Sequence, residues 1–295
     1  MQIELPARLP FSLPAVVRSH GWIQLAPFET LGDQGAFRYV DLLSSGKVVD
    51  LRLSPAPSGV SLSVGEDLLA SELQEIQSKL AWMLDLDQDF SDFYALASRE
   101  PKLASVVEQA RGRILRSPTF FEDVIKTILT TNTAWGGTKR MVSALVDHLG
   151  SPLPSEPGRR AFPSPSQIAC LDEDALRNRI RLGYRAPYVL EIAHAVDEGS
   201  LDLEAFKTSD LPTPELRARL LAIKGVGGYA AANLLMLLGR YDYLPVDSWA
   251  IKVVSHEWYE GQPIGPSQVE AAFEPWGEWK GLAYWFWDWS YNFQA

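Results

Sequence analysis

Three glycines and one aspartate in the second half of the chain have the types and spacing for chemistry on a phosphate-bearing substrate. Gly225, Gly227 and Gly228 lie within Ile223-Lys-Gly-Val-Gly-Gly-Tyr229. Glycine tolerates positive φ, so backbone N–H groups can converge there, and such a nest at a helix N-terminus binds phosphate. Further along, Asp247 offers an anion that could stabilise positive charge in a reaction.

The segments on both sides of these glycines favour helices. Thr213 and Pro214 suit the first turn of a helix that leads to the hairpin, and residues 230–238 are good helix formers after it. A turn that only packs two helices would use the same residues, so the glycines alone do not decide the function. The lack of a preceding strand argues against a dinucleotide-binding motif.

Two other segments complete the pattern, Asp123-Val-Ile-Lys-Thr-Ile-Leu-Thr-Thr-Asn132 and Leu182-Gly-Tyr-Arg-Ala-Pro-Tyr188. The first is similar to the helix of 8-oxoguanine DNA glycosylases that ends in an asparagine at the DNA. The second is similar to the Gly-Tyr-Arg-Ala segment of the same enzymes. With the hairpin and Asp247 in the family's order, the chain resembles the helix-hairpin-helix (HhH-GPD) DNA glycosylases, including 3-methyladenine DNA glycosylase II.

The resemblance implies base flipping, because a glycosylase cannot reach the N-glycosidic bond inside a duplex. It implies that Tyr184 is the wedge in the opened stack and that Arg185, helped by Asn132, faces the orphaned base. In the family an arginine stands where this chain has Gly137, so we expect loose selectivity for the opposite base. The residues expected to contact DNA are Asn132, Tyr184, Arg185, Lys224, Gly225, Val226, Gly227 and Gly228.

Asp247 is the expected catalytic residue, because breaking the bond builds positive charge on the sugar that a nearby anion stabilises. It would also cap the helix that begins at Ser248, and both roles can coexist because helix-terminal N–H groups favour the ionised carboxylate. Asp242 is the nearest competitor, but it lies in a predicted loop.

The reaction type depends on one residue of the hairpin. Family members that also cut the DNA backbone use a lysine two residues beyond the Gly-Val-Gly to form a Schiff base. Here Tyr229 holds that position, so we expect a monofunctional glycosylase with water as the nucleophile. Tyr229 and Trp249 are expected to form the base pocket, where an aromatic ring can stack on a cationic, N-alkylated purine.

The substrate class leaves alternatives open. An alkylated purine agrees with Tyr229, whereas the Asn132 and Tyr184 segments resemble enzymes that act on oxidised guanine. A lysine-free 8-oxoguanine glycosylase is therefore the first alternative. A non-catalytic protein that binds damaged DNA is the second.

The elements that must position these residues form an α+β fold. Three segments, 37–43, 48–53 and 59–64, alternate apolar and polar residues between turns and predict an antiparallel sheet. Almost everything after residue 68 has helical spacing. We therefore expect a small N-terminal sheet domain over residues 1–105 and a helical HhH-GPD catalytic domain over residues 106–295, with its hairpin at 223–229.

The charge is unusual for a DNA-binding protein, since the net charge is -10 and the pI is about 5.0. The acidic excess lies mostly outside the motifs. Residues 101–250 hold 18 basic and 17 acidic side chains, against 7 and 14 in residues 1–100. We expect a locally basic groove that binds double-stranded DNA containing a damaged base.

Composition limits the cofactors and the location. Cys170 is the only cysteine, which excludes a four-cysteine iron-sulfur cluster, and the 4 histidines lack zinc spacing. No metal is expected apart from Na⁺ or K⁺, which the hairpin carbonyls could hold. The sequence has no membrane-spanning run and no signal peptide, so we expect a cytoplasmic monomer, associated with the nucleoid if the source is bacterial.

Overall fold

The computed structural model describes residues 1–289, which divide into two compact units that interleave along the chain. One unit contains residues 1–88, 113–209 and 223–225, and the other contains residues 89–112, 210–222 and those from 226 onward. The predicted domain boundary between residues 105 and 106 stays a prediction. The predicted α+β architecture, an antiparallel sheet followed by a mainly helical remainder, is confirmed.

The N-terminal sheet has five antiparallel strands in the order β1-β5-β4-β3-β2. Phe37 and Tyr39 of the third strand pair with Leu53 and Leu51 of the fourth, and all four side chains are buried on the same face. The sequence pattern indicates only the three middle strands. The strands are β1 (Gln2–Pro6), β2 (Phe28–Leu31), β3 (Ala36–Leu42), β4 (Val48–Ala56) and β5 (Gly59–Val64).

Helices dominate the rest of the chain. None within residues 1–289 is long and apolar enough to cross a lipid bilayer. They are α1 (Leu13–Val17), α2 (Ala70–Leu84), α3 (Ser91–Ala97), α4 (Ala104–Glu108), α5 (Phe120–Thr130), α6 (Trp135–Leu149), α7 (Pro165–Ala169), α8 (Ala186–Asp197), α9 (Thr213–Ala222), α10 (Gly228–Leu237), α11 (Ser248–Tyr259), α12 (Pro266–Phe273) and α13 (Lys280–Phe286).

Residues 151–165, which the prolines predict to be an irregular connection, contain a short antiparallel hairpin. Its strands are β6 (Pro152–Leu153) and β7 (Glu156–Arg160). Leu153 and Ala161 pack against Val40 and Val48 of the main sheet. The sequence did not indicate this hairpin, because the apolar side chains that anchor it have their partners far away in sequence.

Helix α5 is the buried element that leads to Asn132. Its N-cap is Thr119, which accepts a hydrogen bond from the backbone N–H of Glu122 at 3.2 Å. Tyr39 donates a hydrogen bond to Glu122 at 2.6 Å, and Lys126 pairs with the same carboxylate at 2.5 Å. These contacts satisfy charges that would otherwise be costly to bury.

Asp123 completes this anchor. The indole N–H of Trp22 and the backbone N–H of Ser117 both donate to its Oδ1, at 2.8 and 2.9 Å. Burial raises the pKa of Asp123 to about 6, although these two hydrogen bonds oppose the shift. The carboxyl therefore titrates while it holds the first turn of the helix.

A pH-dependent change in stability follows from this carboxyl. Its pKa rises from an ordinary 3.8 to about 6 on folding, so the folded state binds the proton more tightly and stability falls as the pH rises from about 4 to 6. Asp123→Asn removes this titration. The variant's free energy of unfolding relative to the wild type should therefore rise by about 2 kcal/mol between pH 4 and 7 in chemical denaturation. Asp33→Asn, which changes an exposed carboxylate, is the control. A relative stability of Asp123→Asn that is constant over this range would contradict the prediction.

Candidate functional site

The turn after α5 presents Asn132 at the surface. The helix ends at Thr130, and Asn132 has a left-handed φ of 47° and an exposed side chain. Its amide Nδ2 donates to the hydroxyl of Tyr184 at 3.2 Å, and the hydroxyl of Tyr184 donates to the carbonyl of Thr131 at 3.3 Å. The structure thus joins two of the predicted DNA-contacting residues directly.

The Tyr184 segment is held from below by Arg185. Gly183, with φ of 60°, begins a 3₁₀ turn that leads into α8. Tyr184 is 43% exposed, whereas Arg185 is only 6% exposed. The guanidinium of Arg185 lies 4.4 Å from the centroid of the Tyr184 ring and donates to the carbonyl of Thr131.

This arrangement gives Arg185 a supporting role in the free protein. A guanidinium that stacks on an aromatic face while it donates to a carbonyl fixes the orientation of both groups. It therefore orients Tyr184 and the turn at Thr131. The expected contact between Arg185 and an orphaned base stays a prediction.

The glycine hairpin connects α9 to α10 as the sequence predicts. Gly225 has φ of 89°, and its α-carbon packs so closely that an added Cβ would lie 2.8 Å from both Cβ and Cγ of Tyr188. Gly227 is the N-cap of α10, and no side chain caps this helix. Its first backbone N–H groups are therefore available to an anion.

Two side chains of the hairpin differ in their surroundings. Lys224 donates to the carboxylate of Glu191 at 2.7 Å, and this hydrogen bond raises the pKa of the lysine. Both partners are more than half exposed, so the pair contributes little to stability and can be exchanged for a phosphate. Tyr229, in the first turn of α10, is 51% exposed.

Asp247 is the N-cap of α11. Its Oδ1 accepts a hydrogen bond from the backbone N–H of Ala250 at 2.8 Å, and the residue is exposed. Trp249, two residues later, is 46% exposed. Tyr284 lies close enough that the charge of Asp247, after burial, helps to raise the pKa of the tyrosine. A carboxylate at a helix N-terminus with one oxygen held by the backbone can act as a fixed negative charge.

The competitor Asp242 has a structural partner instead. It accepts a hydrogen bond from the hydroxyl of Thr213 at 2.8 Å, at the start of α9. This contact joins the loop after α10 to the helix before the hairpin. Asp242 therefore has a structural role beside the hairpin, and Asp247 remains the candidate catalytic residue.

Sequence reasoning missed three residues that support the site: Thr131, Tyr188 and Tyr284. Thr131 sits next to Asn132 and could have been found by position alone. Tyr188 lies four residues after Tyr184, a helical spacing, and the two rings are 6.4 Å apart. Nothing in the sequence links Tyr284 with Asp247.

A metal site is not evident in the described part of the chain, since residues 1–289 contain no group of three His, Cys, Asp or Glu side chains able to hold an ion. The monovalent cation expected at the hairpin carbonyls of residues 223–229 stays a prediction.

Comparison with known proteins identifies the family. Residues 125–278 match the family model described as HhH-GPD superfamily base excision DNA repair protein, which is more than half of the 295 residues. The chain is also 24% identical, over 218 residues, to a DNA-3-methyladenine glycosylase of Bacillus subtilis, covering 71% of this chain and 70% of the relative.

Solved structures share the fold. A 3-methyladenine DNA glycosylase from Archaeoglobus fulgidus superposes with a TM-score of 0.75 at 21% identity, covering 97% of this chain and 96% of that one. An 8-oxoguanine glycosylase/lyase of Clostridium acetobutylicum, in complex with double-stranded DNA that has cytosine opposite 8-oxoguanine, gives a TM-score of 0.68 at 20% identity. That alignment covers 92% of this chain and 91% of the other.

Single substitutions of Gly225 and Gly227 distinguish a glycine that packs against Tyr188 from one that has open space around it. Gly225→Ala places a methyl group 2.8 Å from Tyr188 at a positive φ, so it should lower the free energy of unfolding by about 1–3 kcal/mol. Gly227→Ala meets no atom within 4 Å and should change stability by less than about 1 kcal/mol. Denaturant titration measures both. Equal losses of unfolding free energy in the two variants would show that the close contact between Gly225 and Tyr188 does not stabilise the hairpin.

Proposed function

The chain belongs to the HhH-GPD superfamily of base excision DNA repair proteins as a DNA glycosylase, and we propose that it is a monofunctional enzyme for alkylated purines. It flips the damaged nucleotide out of duplex DNA and hydrolyses the N-glycosidic bond. The observation that carries this proposal is the pairing of an exposed, helix-capping Asp247 with a hairpin that has Tyr229 in place of the lysine of lyases.

Asp247 stabilises the transition state as a fixed charge. As the bond breaks, positive charge develops on the sugar, and a preorganised anion lowers the energy of that state more than that of the substrate. The N–H of Ala250 holds one carboxylate oxygen at 2.8 Å. The second oxygen is left to face the sugar or to orient the attacking water.

The missing lysine decides the product. A Schiff base requires an amine at the sugar carbon, and the side chain at that position of the hairpin is the phenol of Tyr229. Water is therefore the nucleophile, and the product is an abasic site with an intact backbone.

The base pocket supports the choice of substrate. Tyr229 is 51% exposed and Trp249 is 46% exposed. Rings that receive an extruded base must be accessible in this way. An N-alkylated purine is cationic, so it stacks well on aromatic rings and departs with little acid catalysis. The Bacillus and Archaeoglobus relatives are both 3-methyladenine glycosylases, which agrees with this substrate class.

DNA engagement uses Asn132, Tyr184 and the backbone of the hairpin. Tyr184 is exposed and fixed through its hydroxyl and its ring, which suits a wedge that must displace a stacked base. The uncapped N–H groups at Gly227 and Gly228 suit a backbone phosphate. One copy of the chain carries all of these groups, in agreement with a monomer.

An 8-oxoguanine glycosylase that lacks the lysine is the alternative. The fold shared with the Clostridium enzyme, whose name includes 8-oxoguanine glycosylase/lyase, supports it. The two substrates differ in charge, because 8-oxoguanine is neutral and gains less from aromatic stacking.

Excision assays on labelled duplexes test the proposal. Duplexes with an N-methylated purine, hypoxanthine, ethenoadenine, uracil or 8-oxoguanine should show alkali-dependent cleavage for the alkylated purine and no borohydride trapping. Release of 8-oxoguanine alone would establish the alternative. Trapping would mean that another amine replaces the lysine, and tight binding without excision would indicate a non-catalytic protein.

Asp247→Asn should lower the single-turnover excision rate by roughly two to three decades, because the amide keeps the size but loses the charge. The matched control is Asp242→Asn, which changes a carboxylate that contacts Thr213 and takes no part in the proposed reaction. Its rate should remain within a few-fold of the wild type once folding is verified. An unchanged rate for Asp247→Asn would remove this residue from the mechanism.

A further inference from the structure

A cleft of about 570 Å³ opens beside the Tyr184 turn, within one compact unit of the chain. We name it the arginine cleft, because Arg140, Arg179, Arg181 and Arg185 line it. Arg185 also stacks under Tyr184. The cleft is therefore continuous with the surface that carries the proposed wedge.

The charge of this cleft is not neutralised by the protein. Arg140, Arg179 and Arg181 are exposed, and none forms an ion pair within residues 1–289. No acidic side chain lines the cleft. On the same segment Arg177 is paired with Glu173, so the other arginines stand out on a chain whose net charge is -10.

The backbone around the cleft departs from regular structure where it presents these side chains. Residues 175–179 form a π-helical turn, and Arg181 has a left-handed φ of 66°. Such conformations cost free energy and cluster at binding sites. They also direct Arg179 and Arg181 into one cleft although only one residue separates them.

Gly137 is a lining residue that packs against Thr133. A side chain there would collide with the hydroxyl of Thr133, and the residue itself lines the cleft. The resembled family has an arginine at this place. Here glycine holds this place, and Arg140, Arg179 and Arg181 line the same cleft.

The residues that line the arginine cleft suit a ligand that has both an anionic group and an apolar surface. Guanidinium groups bind phosphate through paired N–H donors. Met141, Ala144 and Ile180 add an apolar wall that suits the carbon face of a sugar. A deoxyribose phosphate unit of a DNA backbone has both features.

We propose that the arginine cleft binds the sugar-phosphate backbone of the strand opposite the lesion, with Arg140, Arg179 and Arg181 as its phosphate contacts. This inference rests on the proposed function, in which Tyr184 and Asn132 face the orphaned base. The backbone of the orphan's own strand then lies nearest the cleft. The cleft supplies affinity for DNA on an otherwise acidic protein, independent of the identity of the base.

The test is binding of a duplex that carries a tetrahydrofuran abasic analogue. Arg140→Ala/Arg179→Ala should weaken binding about tenfold at ~0.15 M salt and make the dependence of log K on log salt shallower by about one for each phosphate that the variant no longer binds. Arg177→Ala is the control, because that arginine is already paired with Glu173, and its affinity and slope should match the wild type. The double lysine variant keeps the charge and should recover most of the affinity.

Neutral methylphosphonate linkages identify the strand. These linkages are placed one at a time in the strand opposite the lesion. A linkage at the contacted phosphate should weaken DNA binding by the wild type but not by the double alanine variant. Equal affinity and slope for the double alanine variant and the wild type would overturn the proposal. A methylphosphonate effect that is confined to the lesion strand would also overturn it.

This measurement is separate from the proposed reaction. The tetrahydrofuran analogue has no base to excise, so binding is measured whether or not the protein has glycosylase activity. If the wild type excises no base but the double alanine variant binds the duplex more weakly, the cleft proposal stands and the proposed reaction is wrong. If the wild type excises the base and the double alanine variant binds the duplex as tightly as the wild type, the proposed reaction stands and the cleft proposal is wrong.

Discussion

The hydrogen bond from the backbone N–H of Ala250 to the carboxylate of Asp247 is the interaction on which the proposed chemistry depends. DNA is a polyanion, so a carboxylate that approaches it is opposed by the phosphates. The backbone N–H at the start of α11 fixes one oxygen of this carboxylate. The same helix then presents Trp249. In the proposed reaction, a single helix cap therefore positions both the carboxylate that stabilises positive charge on the sugar and an aromatic residue of the base pocket.

Binding DNA with an acidic chain requires that positive charge be concentrated. In the proposed complex this charge comes from exposed arginines around one cleft, from Lys224 with its exchangeable partner, and from a helix N-terminus without a side-chain cap. Each of these groups has a free or weakly held donor in the unbound state. Because the net charge of -10 opposes long-range attraction to DNA, the proposed complex depends on these local contacts for its affinity.

The residues that local rules govern could be predicted from the sequence. Gly225 adopts the positive φ that glycine allows, and Thr213 and Pro214 lie in the first turn of α9 as predicted. Strand β1 was missed because it pairs with β5, far along the chain. The hairpin of β6 and β7 was missed because Leu153 packs against Val40 and Val48 of the main sheet. The same reason explains the site: Asn132 and Tyr184 were found as separate motifs, but their shared support by Arg185 and Thr131 depends on tertiary contact.

The central claim is that Asp247 stabilises positive charge on the sugar, and the most direct measurement is affinity for a charged mimic of that state. Duplexes with a cationic pyrrolidine nucleotide and with its neutral tetrahydrofuran counterpart differ at the sugar by essentially that charge. The wild type should bind the cationic duplex at least about tenfold more tightly, and Asp247→Asn should abolish the preference. Equal affinity of the wild type for the two duplexes, or a preference that survives Asp247→Asn, would contradict the account.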